Sequence, residues 1–299
     1  MNLSRRILLS GLALALLSTP AFAAEQAREK GVGDVVYVPT PQIVVDAMLN
    51  LAKLGPGDFI VDLGSGDGRV VITAAKRYGV RGFGVDLSDE LLQESSQAAR
   101  AQGVADRVKF VKQNLFETDL SPATVITTYL LPSINLKLRP KILDMKPGTR
   151  VVTHDYHMGD WKPDAQEILS VPEKKVGDAG KSYVFLWVVP AKIAGRWQAQ
   201  IGSGAERATW EFEFEQRFQA FEGTARGAAG NVGLRWTRLD ADRISFQFLT
   251  NPVDDATRYE FNGSVSGDTM QGMVKVGEAA AQKLMPWSAR FVRRSAAAR

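Results

Sequence analysis

The sequence predicts an α/β fold with a doubly wound, mostly parallel sheet, followed by a small antiparallel all-β sandwich or barrel. Three observations carry this reading. From Asp58 onward, short apolar runs alternate with amphipathic helix-length segments, the pattern of a parallel sheet with crossover helices. A turn with glycines at alternate positions, Gly64-Ser65-Gly66-Asp67-Gly68, joins the first of these strands to its helix. After Arg196 the apolar period drops to two, as in Trp210-Glu211-Phe212-Glu213-Phe214-Glu215.

Residues 1–23 read as a signal peptide. Arg5 and Arg6 form a basic start, residues 7–17 are apolar but too few to span a bilayer, and Ala21-Phe22-Ala23 fits a cleavage site. Export, most simply to a periplasm, is the expected location. Ser4-Arg5-Arg6-Ile7-Leu8-Leu9 also approximates a twin-arginine signal, so the route stays open between that and the general secretory one. Residues 24–34 are a polar segment expected to be mobile, 35–190 the first domain, 191–195 a linker and 196–295 the β domain.

Within the first domain, Thr40-Pro41 is expected to open a helix, with the Thr40 hydroxyl as N-cap and Gly55 closing it. A strand ending at Val61 follows, then a helix over 69–78, a strand ending at Val85, and a helix over 88–102 capped by Ser88. Strands at 108–112 and 124–129, a helix over 133–145 broken at Pro140, and a strand at 150–153 continue the alternation. A strongly apolar strand at 182–189 finishes the domain, and Pro190 ends it. In the second domain short strands fall at 210–215, 235–236, 244–248, 259–265, 270–276 and 287–292, separated by Gly, Asn and Asp turns.

Composition narrows the function. There is no cysteine, so no disulfide framework or thiolate metal site is available. The net charge of +4 includes Arg5 and Arg6, and the +2 left after residues 1–23 gives no reason to expect a nucleic-acid partner. No membrane span is expected after the signal peptide, and His154-x-x-His157 alone is a poor metal site, so no metal is assigned. Lys137, Arg139 and Lys141 read as a solvated helix face, and the row Glu211, Glu213, Glu215 as a solvated sheet face.

The glycine turn carries the chemistry. Without Cβ atoms at Gly64, Gly66 and Gly68 the turn can be tight, and the amides of the following helix can point at a ligand. Asp86 ends the second strand about 20 residues on, where an acid accepts hydrogen bonds from ribose hydroxyls. This combination marks a nucleotide site. Ligands in such sheets lie beyond the carboxyl ends of the strands, at Asp62, Asp86, Asn114, Tyr129, His154 and Asp155.

Asp62-x-Gly64-x-Gly66-x-Gly68 resembles the first motif of class I S-adenosylmethionine-dependent methyltransferases and differs from the Gly-x-Gly-x-x-Gly of nicotinamide oxidoreductases. With Tyr37-Val38-Pro39-Thr40 upstream, residues 35–165 resemble the group of the ATP synthase c-subunit lysine methyltransferase. The resemblance implies S-adenosylmethionine as cofactor and methyl transfer to an amine, such as a protein lysine or a small molecule. It implies an antiparallel last strand at 182–189. It places Tyr37 and Thr40 at the methionine end of the cofactor, Asp62, Gly64, Ser65, Gly66 and Gly68 around its turn, Asp86 at the ribose and Asn114 near the adenine.

Alignment carries much of the rate in an in-line displacement, so the pocket wall matters more than a triad. Tyr129, followed by Leu130-Leu131-Pro132, is expected to form that wall, and no Asn/Asp-Pro-Pro-Tyr motif of base-amine and glutamine methyltransferases occurs there. His154 with Asp155 is the candidate for proton transfer, and a structural role in closing the strand is the competing reading. A different class of function is also compatible with the sequence: an exported binding protein with a retained, non-catalytic cofactor fold and a ligand-binding β module.

Overall fold

The computed structural model describes residues 36–228, 230–250, 257–278 and 281–293; the expected signal peptide and the 24–34 segment lie outside the described residues. A seven-stranded sheet contains β1 (Phe59–Leu63), β2 (Arg81–Asp86), β3 (Val108–Lys112), β4 (Val125–Thr128), β5 (Arg150–His154), β6 (Ala165–Val171) and β7 (Gly180–Val188). Their order is β3-β2-β1-β4-β5-β7-β6, with β1 to β5 parallel and β7 antiparallel to both β5 and β6. Helices α1 (Gln42–Leu51), α2 (Arg69–Tyr78), α3 (Asp89–Ala101) and α4 (Pro132–Leu143) connect or cover it. Successive residues of β1 serve opposite cores: Ile60 joins Val44, Val71 and Val125, while Val61 and Leu63 join Ile126, Ile142 and Trp187. Burial on both faces is why the central strands read as unbroken apolar runs.

Several expectations are corrected. The N-cap of α1 is Pro41 without a side-chain cap, because the Thr40 hydroxyl lies 3.3 Å from His154 Nδ1 instead. Helix α4 starts at Pro132 and continues through Pro140, which falls in its last turn between the buried anchors Leu138 and Ile142. Strand β6 has no counterpart among the elements the sequence predicts; it is an edge strand whose Gln166, Glu167 and Ile168 are exposed, so it lacks an apolar run. Ser88 does cap α3, accepting the Leu91 amide.

The second sheet holds nine antiparallel strands: β8 (Gly195–Ile201), β9 (Ala208–Arg217), β10 (Ala220–Gly227), β11 (Gly230–Gly233), β12 (Arg235–Asp240), β13 (Arg243–Thr250), β14 (Thr257–Ser266), β15 (Thr269–Gly277) and β16 (Lys283–Arg293). Their order is β11-β10-β9-β8-β16-β15-β14-β13-β12. The ends meet, since the Leu234 amide donates to Gly223 O at 2.9 Å and the Thr237 hydroxyl to Phe221 O at 2.7 Å. The result is a nearly closed barrel rather than a sandwich. Trp197, Phe212, Phe214, Phe246, Phe248 and Phe261 fill its interior, with Phe246 stacked on Phe261 at 4.6 Å.

The segment between the sheets is packed, with Ala191 and Ile193 buried in the barrel core. Across the junction Trp161 stacks on Phe218 at 5.8 Å and its indole donates to Gln219 at 2.9 Å, while Asp160 pairs with both Arg139 and Arg217. The row of carboxylates on β9 is also not simply solvated, because the Arg196 guanidinium bridges Glu211 (3.6 Å) and Glu213 (3.4 Å).

Candidate active site

A cavity of 370 Å³ opens beyond the carboxyl ends of β1, β2 and β4, within the range of small-molecule sites. Its floor is the glycine turn. Gly64, Gly66 and Gly68 have φ of 76°, 53° and 79°, the left-handed region that glycine occupies without strain. Neighbours enforce the choice as well: a Cβ at Gly66 would lie 2.4 Å from the Tyr37 ring, and one at Gly68 would lie 2.5 Å from Phe110.

The amides of the glycine turn itself are bonded to the end of the second strand. Gly64 and Ser65 donate to Val85 O, both at 2.9 Å, and Gly66 donates to Asp86 Oδ2 at 2.9 Å. Asp86 Oδ1 accepts the Ser88 amide at 3.0 Å. Two backbone bonds therefore aim a half-buried carboxylate into the cavity, with lone pairs left on both oxygens for ribose hydroxyls. Asp62 is buried and accepts the Thr127 hydroxyl at 2.6 Å. Burial pushes it up to about 7 against that hydrogen bond, and Asp86 and Asp67 add to the rise. The Ser65 hydroxyl is buried against Gly84 without a hydrogen-bond partner, and so props the turn from beneath.

Asn114 lines the cavity, but its Oδ1 accepts the Phe116 amide at 3.0 Å, so it also shapes the turn that sets Leu115 and Phe116 as apolar walls. Residues 36–40 form a strap over the glycine turn. Arg69 holds it, bonding Asp67 (2.9 Å from Nε to Oδ1) and donating to Thr40 O at 2.9 Å. Burial would raise Asp67, but the Arg69 bonds and charge outweigh it and hold the carboxyl below its ordinary value. Burial, with Asp67 beside it, pushes the Tyr37 phenol well up. Asp67, inside the motif, and Arg69, the residue after it, are site residues that the sequence reading does not mark.

The charge run on α4 is not a solvated face. Lys137 lines the cavity with its ammonium 4.1 Å above the Phe116 ring, Arg139 reaches Met158 O and Asp160, and Lys141 donates to Phe116 O at 2.9 Å.

Tyr129 lines the cavity, whereas His154 and Asp155 lie beneath it and do not. The His154 ring is 1 % exposed, packs 3.9 Å from the Tyr129 ring, and places Nδ1 on Thr40 and Nε2 3.0 Å from the Ser182 hydroxyl. Burial pushes it down to about 4, so it is neutral near pH 7, yet it has no access to a reacting proton. The expected proton-transfer role is therefore corrected to a supporting one. Asp155 pairs with Lys174, which no sequence signal marked.

The cavity's charges suit S-adenosylmethionine rather than a nicotinamide dinucleotide. Asp62, Asp67 and Asp86 line it against two cations, of which Arg69 is already bound to Asp67 and Lys137 is held over the Phe116 ring. A pyrophosphate would meet carboxylates, and the amides of Gly64, Ser65 and Gly66 that it needs are bonded elsewhere. The sulfonium and ammonium of S-adenosylmethionine are favoured by the same field. Among the described residues no cluster of three metal-ligating side chains occurs, and no helix is long and apolar enough to cross a membrane.

Comparison with known proteins agrees. The ANTKMT methyltransferase domain family matches residues 62–165. A protein-lysine N-methyltransferase of Saccharolobus islandicus is 42% identical over 157 residues, covering 52% of this chain and 94% of that protein. A lysine N-methyltransferase of the ATP synthase c-subunit, from Caenorhabditis elegans, is 32% identical over 141 residues, covering 44% of this chain and 74% of its own. A solved structure from Salinibacter ruber, described as an RNA methyltransferase in complex with S-adenosyl-L-homocysteine, is 45% identical over 52% of this chain and 96% of that one, with a TM-score of 0.47. With its first motif, its strand-end carboxylate and a relative matched over nearly its whole length, the chain belongs to the class I S-adenosylmethionine-dependent methyltransferases.

Proposed function

We propose that this enzyme methylates the side-chain amine of a protein lysine. The observation that carries the reading is the wall opposite the carboxylates, where Tyr129, Leu130 and Ile134 offer an apolar and aromatic surface, and the charged group that the helix adds to the cavity lining is the Lys137 ammonium rather than a carboxylate or imidazole base. S-adenosylmethionine supplies an electrophilic methyl group on a sulfonium. A lysine amine has an ordinary pKa near 10.4 and must lose a proton to attack, and an apolar wall disfavours the charged form. The proton given up before attack goes to water; the neutral nitrogen then forms the N–CH3 bond as the S–CH3 bonding pair returns to sulfur, and the positive charge passes to the methylammonium product. Oxygen nucleophiles would need a base at this wall, and burial and Asp155 push the Tyr129 phenol up, away from that role. The names of the relatives, lysine methyltransferases from an archaeon and an animal, support the same acceptor class.

The binding-protein alternative gains no support, since aromatic rings fill the barrel interior. Export remains part of the proposal on the strength of residues 1–23, and cell fractionation of the tagged protein checks it. The acceptor is tested by incubating the purified enzyme with labelled S-adenosylmethionine and protein extract, followed by mass spectrometry. Methyl-lysine formed by wild type and absent with Asp86→Ala is expected; label on other nucleophiles, with none on lysine, would sink the reading.

A further inference from the structure

A buried polar cluster lies beneath Tyr129, outside the cavity. Lys174 is 7 % exposed, and its ammonium lies 2.8 Å from Asp155 Oδ1 and 2.7 Å from Oδ2 and donates to Lys181 O. Asp155 Oδ1 also accepts the Tyr183 amide at 3.1 Å, and Oδ2 accepts the Tyr129 hydroxyl at 3.3 Å. Asp155 has φ of 62°, in the left-handed region that Asp enters more readily than most side chains. Burying a lysine with an aspartate costs desolvation, and a well-packed apolar pair is often as stable. Stability alone therefore does not call for this cluster.

Its geometry converges on one ring. The His154 imidazole lies under the Tyr129 phenol and bonds Thr40 of the strap, while Asp155 accepts the phenol's hydrogen bond. A phenol whose proton is committed can only accept from whatever else reaches its oxygen. We propose that Lys174 is a positioning residue for methyl transfer: by fixing Asp155 as an acceptor it commits the Tyr129 proton, so the phenol oxygen accepts a hydrogen bond from the N–H of the incoming amine and aligns its lone pair. This rests on the amine reading of the site. The cluster also ties the wall to the strap, so one set of bonds registers both sides of the cavity.

The test is a double-mutant cycle on Lys174→Met and Tyr129→Phe, with poly-L-lysine as methyl acceptor. Each single variant is expected to lower kcat about tenfold, the loss of one oriented hydrogen bond, with KM for S-adenosylmethionine unchanged. Because Lys174 acts through Tyr129, the double variant falls no further than either single one, and Lys174→Arg restores at least half the rate. Unfolding free energies of the same four proteins must show the same coupling. Where Lys174→Met does not fold, Asp155→Asn takes its place: its amide group turned toward Tyr129 reverses the hydrogen bond and lowers kcat as Tyr129→Phe does. Additive losses, or a Tyr129→Phe variant with wild-type kcat, overturn the proposal and leave the lysine reading standing. Absence of transfer to any lysine by wild type removes both.

Discussion

The two sheets bury apolar surface in opposite ways, and the difference locates the chemistry. The seven-stranded sheet is covered by helices on its faces, but the carboxyl ends of β1, β2 and β4 stay open, and there the chain collects glycines, carboxylates and a cavity. The nine-stranded sheet bends until β12 meets β10, and its interior is packed with aromatic rings. A layered sheet leaves an edge where polar groups can face a ligand; a closed small barrel has none inside. Hence substitutions in the barrel interior should act on stability alone, and substitutions at the strand ends should act on binding.

The largest effect is expected in the barrel. Phe246→Ala removes a fully buried ring stacked on Phe261 and should cost about 3–5 kcal/mol in denaturant unfolding. Calorimetric affinity for S-adenosylmethionine should not change. A drop beyond tenfold would break the comparison by showing that the barrel shapes the site. Next comes Gly68→Ala, where φ of 79° and a Cβ 2.5 Å from Phe110 add strain to overpacking. About 2–4 kcal/mol of stability should go, and with it most cofactor affinity. Gly267→Ala in the barrel is the control: its φ is 55°, but a Cβ there meets nothing within 4 Å, so only about 1–2 kcal/mol is at stake and binding is untouched.

The same contrast explains what the sequence made legible. Gly64, Gly66, Gly68 and Asp86 were readable because backbone conformation and hydrogen bonding restrict those positions to one or two residue types. Strand β9 was readable because a barrel wall with a filled interior alternates strictly. Strand β6 was not, because an exposed edge imposes no apolar pattern. Thr40 was misread as a cap because its partner, His154, is 114 residues away. His154 and Asp155 were found but given the wrong task, since residue order does not say whether a strand-end side chain faces the cavity or the layer beneath it. Lys174 left no local trace, because only folding brings it to Asp155.

The smallest prediction tests the open end of the layered sheet. Burial raises Asp62 from 3.8 to about 7, so in the free protein its contribution to stability is fully present below about pH 4 and is lost as pH rises through 7. A cation bound beside Asp62 reverses the preference, because it favours the carboxylate, and binding then releases a proton in the interval between the carboxyl's lower pKa in the complex and about 7. Affinity for S-adenosylmethionine should therefore climb with pH, by at most about tenfold per unit, and level off above pH 7. Calorimetry across that interval checks it, with Asp62→Asn expected to flatten the curve. Asp86, held by two backbone amides, serves as the contrast: Asp86→Asn should lower affinity at every pH and keep a rising limb, which levels off at lower pH because the Asp86 charge no longer raises Asp62. A wild-type curve that is already flat would mean that the cofactor's ammonium lies away from Asp62. The sheet's open end would then meet the ligand's charge through Asp86 and Asp67, the other two carboxylates that line the cavity.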